Sequence, residues 1–152
     1  MRVGIISDTH GRLDSRIFKI FENVDVIFHA GDVGNVDILR ELEIIAPVYA
    51  VYGNVDDWLI RHQCTESVDV TFYGTQILMA HTPLQLARLR PVNDGPVVKI
   101  NGHTHEPNVE FQGNVLKLNP GSVSLPRGGF KPSVALLTIG ADRQPSVEII
   151  SL

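Results

Sequence analysis

Apolar runs of three to six residues recur through the first half of the chain without the polar alternation of a half-exposed sheet. Such runs are typical of strands buried on both faces. Between them, apolar residues recur at helical spacing behind capping residues. The pattern predicts strands at 3–7, 25–29 and 47–52, a helix at 15–22 capped by Asp14, and a helix at 36–45 capped by Asn35. This alternating order indicates a mostly parallel sheet covered by helices.

The second half predicts strands that pair through short turns. The expected pairs are 68–72 with 76–80, 109–111 with 115–118, and 133–139 with 146–152. A further strand is predicted at 97–100, and Pro83 is well placed to begin a short helix that runs to Arg88. We expect a two-sheet α/β sandwich, one sheet more parallel and one more antiparallel. Segments 93–96 and 126–132 are predicted surface loops, so residues 1–152 form a single domain.

Composition limits the classes of partner and compartment. A net charge of −4 gives no basic face, so we expect no stable nucleic-acid complex, although a nucleotide substrate stays open. No stretch reaches the roughly 20 apolar residues that a membrane helix needs, and the first strand is too short for a signal-peptide core. Cys64 is the single cysteine, which excludes an intrachain disulfide and fits a reducing compartment. We therefore expect a cytoplasmic protein without a membrane partner.

Five of the apolar runs end at residues that can bind a metal ion. Open α/β sheets bind ligands at the carboxyl ends of their strands, so the five positions predict one site. Its mixture of hard oxygen and imidazole nitrogen suits Mn, Fe or Zn better than Ca or Mg. Each element alone is also compatible with a cap, a turn or a buried histidine; the ordered set is far stronger. The elements are Asp8 with His10, Gly31-Asp32, Gly53-Asn54, His81, and Gly102-His103-Thr104-His105.

The ordered set resembles the pattern of the calcineurin-like metallophosphoesterase superfamily, which is D-x-H, G-D, G-N, H and G-H-x-H. The resemblance is closest to its small, cap-less bacterial and archaeal phosphodiesterases. Their further signature, Asn-Pro-Gly-Ser followed by Pro-Arg, is found at 119–122 and 126–127. The resemblance covers nearly the whole chain. It implies a four-layer α/β/β/α sandwich of two mixed sheets and a centre for two divalent metal ions.

The resemblance also assigns ligands and roles. One metal would be held by Asp8, His10, Asp32 and His105, and the other by Asp32, Asn54, His81 and His103, with Asp32 bridging both. Asp32, Asn54, His81 and His103 would act in catalysis, and Asn54 and Arg12 would contact the substrate. The implied reaction is hydrolysis of a small phosphodiester, with a nucleotide as one candidate, by in-line attack of a metal-bridging hydroxide. Mn²⁺ is the favoured metal over Ni²⁺, Fe²⁺ or Zn²⁺, and a homo-oligomer is compatible with the family.

Two positions depart from the family pattern. Phosphomonoesterase branches carry a proton-donating His after the Asn, whereas Val55 follows Asn54 here, which favours a diester substrate with a good leaving group. Many relatives read H-G-H where this chain reads His81-Thr82-Pro83, which affects substrate positioning more than metal binding. The alternatives are a scaffold without catalysis, like the retromer subunit of this fold, and a selective nuclease or cyclic-nucleotide phosphodiesterase.

Several neighbouring residues receive structural interpretations instead. His29 is interpreted as a buried residue behind the ligands and not as a ligand itself. Asp56 and Asp57 are expected to be solvated loop carboxylates, in a segment, 57–66, whose composition suits a mobile wall of the cleft. Trp58 is expected to pack on the core more readily than to stack on a base.

Overall fold

The computed structural model describes residues 1–92, 94–140 and 143–152 and confirms an α/β architecture. The strands are β1 (Arg2–Ile6), β2 (Val26–His29), β3 (Val48–Ala50), β4 (Ser67–Phe72), β5 (Thr75–Ala80), β6 (Val97–Ile100), β7 (Asn108–Gln112), β8 (Val115–Asn119), β9 (Ser133–Gly140) and β10 (Arg143–Ser151). The helices are α1 (Arg16–Ile20), α2 (Val36–Glu43), α3 (Trp58–Gln63) and α4 (Pro83–Arg88). Asn93, the first residue of the loop predicted at 93–96, lies outside the described residues.

The strands form two five-stranded sheets, in the orders β10-β9-β1-β2-β3 and β4-β5-β6-β8-β7. Both sheets are mixed, because each contains two parallel and two antiparallel pairings among the described residues. The expectation of one more parallel and one more antiparallel sheet was therefore wrong. In the first sheet the late strand β9 lies antiparallel to β1. In the second, β6 inserts in parallel between the hairpins β4-β5 and β7-β8, which a local pattern does not reveal.

Three apolar clusters establish the layers. The largest lies between the two sheets and contains inward-facing residues of both, such as Phe28 and Met79. A second lies on the outer face of the first sheet, where helices α1, α2 and α3 contribute Ile17, Leu42 and Ile60. The third lies on the outer face of the second sheet, beneath Leu86 of α4. The order helices, sheet, sheet, helix confirms the four-layer sandwich.

The sequence predicts the start of α2 correctly but not its end. Asn35 caps α2 as predicted, because its side chain accepts the backbone N–H of Asp37 at 2.9 Å. Helix α2 ends at Glu43, two residues before the predicted end at Ile45. Ile45 and Ala46 both donate their backbone N–H groups to the carbonyl of Leu42, so the helix ends in a turn, and Pro47 then disfavours helical backbone at Ala46.

The other two helices on this layer depart from prediction. Helix α1 is shorter than the predicted 15–22, and its N-cap is Ser15, not Asp14. The Asp14 carboxylate instead accepts the backbone N–H of Arg16 at 2.9 Å. Helix α3 was not predicted, because only Ile60 in it is buried and its apolar pattern is weak. None of the helices in the described part of the chain is long and apolar enough to cross a bilayer.

Candidate metal centre

The predicted ligands all lie in the loops that follow β1, β2, β3, β5 and β6, at one edge of the sandwich. Six described residues other than glycine have a positive φ, and five of them are predicted ligands. These five are Asp8 (52°), His10 (46°), Asp32 (53°), His103 (69°) and His105 (62°). Left-handed backbone at such residues costs about 1–3 kcal/mol each and is typical of functional sites. The loops are therefore strained at these five residues, and the strained backbone directs their side chains towards one another.

One group of ligands gathers around Asp8. The ligand atoms of Asp8, His10, Asp32 and His105 all lie within 4.8 Å of one another. His105 Nε2 lies 3.1 Å from Asp8 Oδ1 and 3.4 Å from His10 Nε2, while His10 Nε2 lies 3.9 Å from Asp32 Oδ2. This is the set that the family resemblance assigned to the first metal ion.

A second group surrounds the amide of Asn54. Its Oδ1 lies 3.0 Å from His81 Nε2 and 3.0 Å from His103 Nδ1. His81 Nε2 also lies 3.4 Å from Asp32 Oδ1. The two oxygens of Asp32 thus face different groups, Oδ2 towards His10 and Oδ1 towards His81. This is the position that a bridging carboxylate requires.

Two of the histidines are held with a ring nitrogen free for a metal. His81 Nδ1 donates to the carbonyl oxygen of Ala30 at 2.8 Å, and His105 Nδ1 donates to that of Leu125 at 2.6 Å. A carbonyl oxygen only accepts, so Nδ1 of each ring carries a proton, and in the neutral form of the ring this is its only proton. Each Nε2 lone pair then points into the group of ligands. Metal-binding histidines are commonly oriented in this way.

Asp8 contains a buried atom that the protein itself does not satisfy. Oδ2 accepts the hydroxyl of Ser7 at 2.6 Å and the N–H of His103 at 3.1 Å. Oδ1 is buried without a hydrogen-bond partner in the described residues, and it lies 3.1 Å from Nε2 of His105. When the His105 ring is neutral, with its proton on Nδ1, these two atoms are buried acceptors facing each other, which is unfavourable unless a cation lies between them. The residues present therefore fit a divalent ion with oxygen and imidazole ligands.

The electrostatics of the site are strongly coupled. Burial raises the pKa of Asp8, against the opposing effects of the Ser7 hydroxyl and the nearby histidines. Burial also acts to raise the pKa of Asp32, but the contact with His81, the N–H of Val55 and the charge of His10 together outweigh it, and the pKa is lowered. Burial lowers and Asp32 raises the pKa of His81, and the net shift is upward. The lowered pKa favours the ionised form of Asp32, which the predicted bridging role would require.

His29 supports the ligand loops from behind, as predicted. It is fully buried, and burial together with the charge of His81 lowers its pKa to about 3. Its Nδ1 accepts the N–H of Gly31 at 3.2 Å, so Nε2 carries the proton and donates to the Thr9 hydroxyl at 2.9 Å. Thr9 donates in turn to the carbonyl of Val33 at 2.9 Å. This neutral chain ties the loop after β1 to the loop after β2.

Asp56 is not the solvated loop carboxylate that was expected. It is buried, with Oδ2 accepting the N–H groups of Gly53 (2.7 Å) and Val33 (3.2 Å), and Oδ1 accepting that of Gly34 (2.8 Å). It therefore joins the loop that carries Asp32 to the loop that carries Asn54. Asp57 is also engaged, since it caps α3 by accepting the N–H of Ile60. The Asp-Asp pair is a signal for a cap, but nothing local marks which carboxylate is buried.

The Asn-Pro-Gly-Ser segment supports the remaining ligand loops, a role that the sequence analysis did not assign. The amide of Asn119 donates to the carbonyl of Gly102 at 2.9 Å and to the hydroxyl of Thr104 at 3.0 Å. Ser122 donates to the carbonyl of Asp8 at 2.8 Å. One segment thus fixes the backbone on both sides of the first group of ligands.

Two glycines are required by close approach to the ligands. A Cβ built on Gly53 would overlap the carboxylate of Asp32. A Cβ built on Gly102 would overlap the Ser7 hydroxyl and come within van der Waals distance of Asp8 Oδ2. The glycines of the G-N and G-H-x-H elements therefore leave space for neighbouring ligands, beyond making a turn.

Several predicted residues lie outside the two groups. Arg12 is exposed, and its side chain makes no hydrogen bond to the described residues, so its role in substrate binding stays a prediction. Trp58 does not pack on the core: it is 67% exposed and stands edge-on to His62 at 5.6 Å between ring centroids. A cavity of about 270 Å³ borders Asn54 and is also lined by Tyr52 and Gln85.

Comparison with known proteins gives consistent matches. A domain family described as the calcineurin-like phosphoesterase superfamily domain matches residues 1–142. A probable metallophosphoesterase of Methanothermobacter thermautotrophicus is 34% identical over 157 residues, covering 94% of this chain and 88% of that protein. The phosphodiesterase YfcE of Escherichia coli is 29% identical over 160 residues, covering 90% of this chain and 87% of that one.

Solved structures agree with these matches. The structure of the Escherichia coli phosphoesterase superimposes with a TM-score of 0.74 at 25% identity and covers 99% of each chain. A Vps29 variant from Entamoeba histolytica superimposes with a TM-score of 0.74 at 21% identity, covering 100% of this chain and 99% of that one. At that identity the Vps29 likeness concerns the fold alone.

Proposed function

Because the chain belongs to the calcineurin-like phosphoesterase superfamily, we propose that it hydrolyses phosphodiesters with two divalent metal ions. The observation that carries the proposal is the convergence of lone pairs on both sides of Asp32. Asp8 Oδ1 and His105 Nε2 face each other on one side, and Asn54 Oδ1 and His81 Nε2 face each other on the other. When the histidine rings are neutral, the two atoms of each pair are both acceptors, and a cation in each place would satisfy both.

The bound ions would supply a water of lowered pKa as nucleophile and would neutralise charge on the phosphoryl group. The protein residues position this chemistry. Asp32 shares its two oxygens between the groups, and the N–H of Val55 donates to Oδ1 at 3.2 Å, which fixes its orientation. Asn54 adds an oxygen ligand without adding charge. The cavity beside Asn54 leaves room for the alcohol part of a small diester.

A diester substrate is favoured by the residue that follows Asn54. Val55 is 57% exposed beside the site and cannot donate a proton to a leaving group. Hydrolysis without a general acid depends on a leaving group that departs easily as an anion. The Escherichia coli relative is named a phosphodiesterase, which supports the same class. We therefore expect faster hydrolysis of aryl diesters than of alkyl diesters.

The experiment is an assay of metal-free protein on bis-p-nitrophenyl phosphate, with and without Mn²⁺. Wild type is compared with Asp32→Asn, and p-nitrophenyl phosphate is assayed in parallel. We expect Mn²⁺-dependent turnover that falls at least 100-fold in the variant, since oxygen ligands of both groups are weakened together. We also expect a smaller kcat/KM on the monoester.

The outcomes separate the proposal from its alternatives. A folded protein without turnover on either ester, whichever divalent metal is added, would contradict the diesterase and favour a scaffold or a very selective nuclease. Faster turnover of the monoester would contradict the inference from Val55 alone. Repeating the assay with Ni²⁺, Fe²⁺ and Zn²⁺ ranks the metals, because selectivity depends on geometry and availability. Cytoplasmic location and homo-oligomer formation stay predictions.

A further inference from the structure

A second cavity, of about 340 Å³, lies on the outer face of the second sheet, between that sheet and α4. Its floor contains Lys99 of β6 and Lys117 of β8, and Arg90 lies at its rim just after α4. Three cations thus surround one small cavity in a chain whose net charge is −4. None of the three belongs to the metal-ligand groups.

The two lysines are direct neighbours across parallel strands. Lys99 pairs with Lys117 in the register of β6 and β8. Both side chains point outward, because their neighbours Val98 and Leu116 face the core between the sheets. Like charges directly opposite each other destabilise a sheet. The lysine pair therefore does not serve the stability of the sheet, and binding of an anionic ligand is the simplest explanation for its presence.

The protein compensates this charge only in part. Lys99 donates one hydrogen bond to the carbonyl of Leu89 at 3.1 Å. Lys117 lies 4.0 Å from a carboxylate oxygen of Glu110, in a pair that is about half exposed. No carboxylate in residues 1–92, 94–140 and 143–152 forms an ion pair with Lys99 or Arg90. Burial, with the charges of Arg90 and Lys117, lowers the pKa of Lys99, which agrees with cations crowded around one space.

The remaining walls of the cavity are mostly apolar. Pro83, Leu86 and Ala87 of α4 form one side, and the polar Asn101, which follows β6, also lines the cavity. Apolar walls beside a cluster of donors match a ligand with an anionic end and a compact apolar body. The cavity also adjoins the metal centre through the backbone, since Asn101 donates to the carbonyl of Gly102, next to His103.

We propose that this cavity binds a small organic phosphate or phosphonate, with its dianion between Arg90, Lys99 and Lys117 and its apolar body against Pro83 and Leu86. This site is separate from the proposed catalytic one. Binding there does not require the protein to be a phosphodiesterase, so the two proposals fail independently.

The test is calorimetric titration of metal-free protein, after removal of the chelator, with phenylphosphonate as the probe. Its carbon–phosphorus bond is not a phosphoester, and without metal the carboxylates of Asp8 and Asp32 repel anions from the catalytic site. We expect saturable binding that weakens about tenfold or more in Lys99→Met and in Lys117→Met, because each removes a charge-assisted contact. Lys19→Met, at an exposed lysine of α1 on the outer face of the first sheet, should stay within about twofold of wild type.

Two further measurements complete the test. Inorganic phosphate, which lacks the apolar body, should bind at least about fivefold more weakly than phenylphosphonate. Without ligand, Lys99→Met and Lys117→Met should melt within about 4 °C of wild type, because relief of the like-charge contact offsets the lost contact with Leu89 or Glu110, and this also shows that the variants fold. The proposal is overturned by no saturable binding below about 10 mM, or by equal affinities in wild type and both lysine variants. Equal affinities for phenylphosphonate and inorganic phosphate would overturn the inference that the ligand has an apolar body.

Discussion

The substitution Asp8→Asn should make the metal-free protein more stable while weakening metal binding. In the wild type, Oδ1 is a buried acceptor without a partner. In the variant, the amide oxygen can take the place of Oδ2 and keep the bonds from Ser7 and His103. The amide NH₂ then replaces Oδ1 and donates to the free Nε2 of His105, which lies 3.1 Å away. Asparagine also tolerates the φ of 52° at this position better than most residues.

The magnitude follows from the groups that change. An unsatisfied buried acceptor costs about 1–3 kcal/mol, and a new neutral hydrogen bond contributes about 0.5–1.5 kcal/mol. The bonds kept at Oδ2 weaken because the charge is lost, so we expect a net gain of about 1–2 kcal/mol. For a domain of this size that corresponds to a rise in Tm of about 2–8 °C.

Thermal unfolding of wild type and variant, with and without Mn²⁺, measures this prediction. A bound metal stabilises the native state by mass action, so Mn²⁺ should raise the Tm of the wild type and reverse the order of the two proteins. Asp94→Asn, at an exposed carboxylate without a side-chain hydrogen bond to the described residues, controls for the change in net charge. A metal-free Asp8→Asn that melts below wild type would refute the reasoning from the unsatisfied oxygen. An equal Mn²⁺ shift in both would refute Asp8 as a ligand.

Two further predictions concern the residues behind the ligands. Asp56→Asn should lower the Tm of the metal-free protein by about 4–12 °C, because one of three backbone N–H groups loses its acceptor and two bonds lose charge, at about 2–3 kcal/mol in total. Asp57→Asn should change the Tm by less than about 2 °C, since asparagine caps helices as well as aspartate. Equal losses of Tm in the two variants would contradict the role of Asp56 in joining the two loops. His29 has a pKa of about 3 when folded and an ordinary value of 6.5, so the unfolded chain binds the proton first as the pH falls. Urea unfolding at a series of pH values should therefore show that the free energy of unfolding falls by about 1.4 kcal/mol per pH unit below pH 6.5. His29→Gln should lack this slope, and His62→Gln should keep it. An unchanged slope in His29→Gln would show that another group is responsible.

That the predicted ligands would lie together could be inferred from two local signals. Each ligand comes directly after a buried apolar strand, and parallel strands bring their carboxyl ends to one edge. The order of the elements then carried the family resemblance. Asp32 and His81 are therefore identifiable from the printed sequence, and the structure brings them to 3.4 Å of each other.

The supporting residues could not be identified in the same way, because their partners are distant in the chain. Ser122 donates to the carbonyl of Asp8, 114 residues away. Asp56 carries the same local signature as a solvated loop carboxylate, and its burial arises only when two ligand loops meet around it. The mixture of parallel and antiparallel pairings in each sheet was missed for a related reason. The residue pattern of a strand does not indicate which strand lies beside it or whether that neighbour runs parallel or antiparallel.

The left-handed backbone at five of the predicted ligands has a consequence for the evolution of this fold. Substitution by glycine relieves such strain at positions where the side chain is no longer needed. A lineage released from selection for the chemistry would therefore gain stability as it lost its ligands, in steps of about 1–3 kcal/mol each. Regaining the ligands would require a path of successively less stable proteins, which selection for a folded state opposes. Loss of the reaction in this architecture should thus be self-reinforcing, while the sandwich beneath it persists and becomes available for other uses.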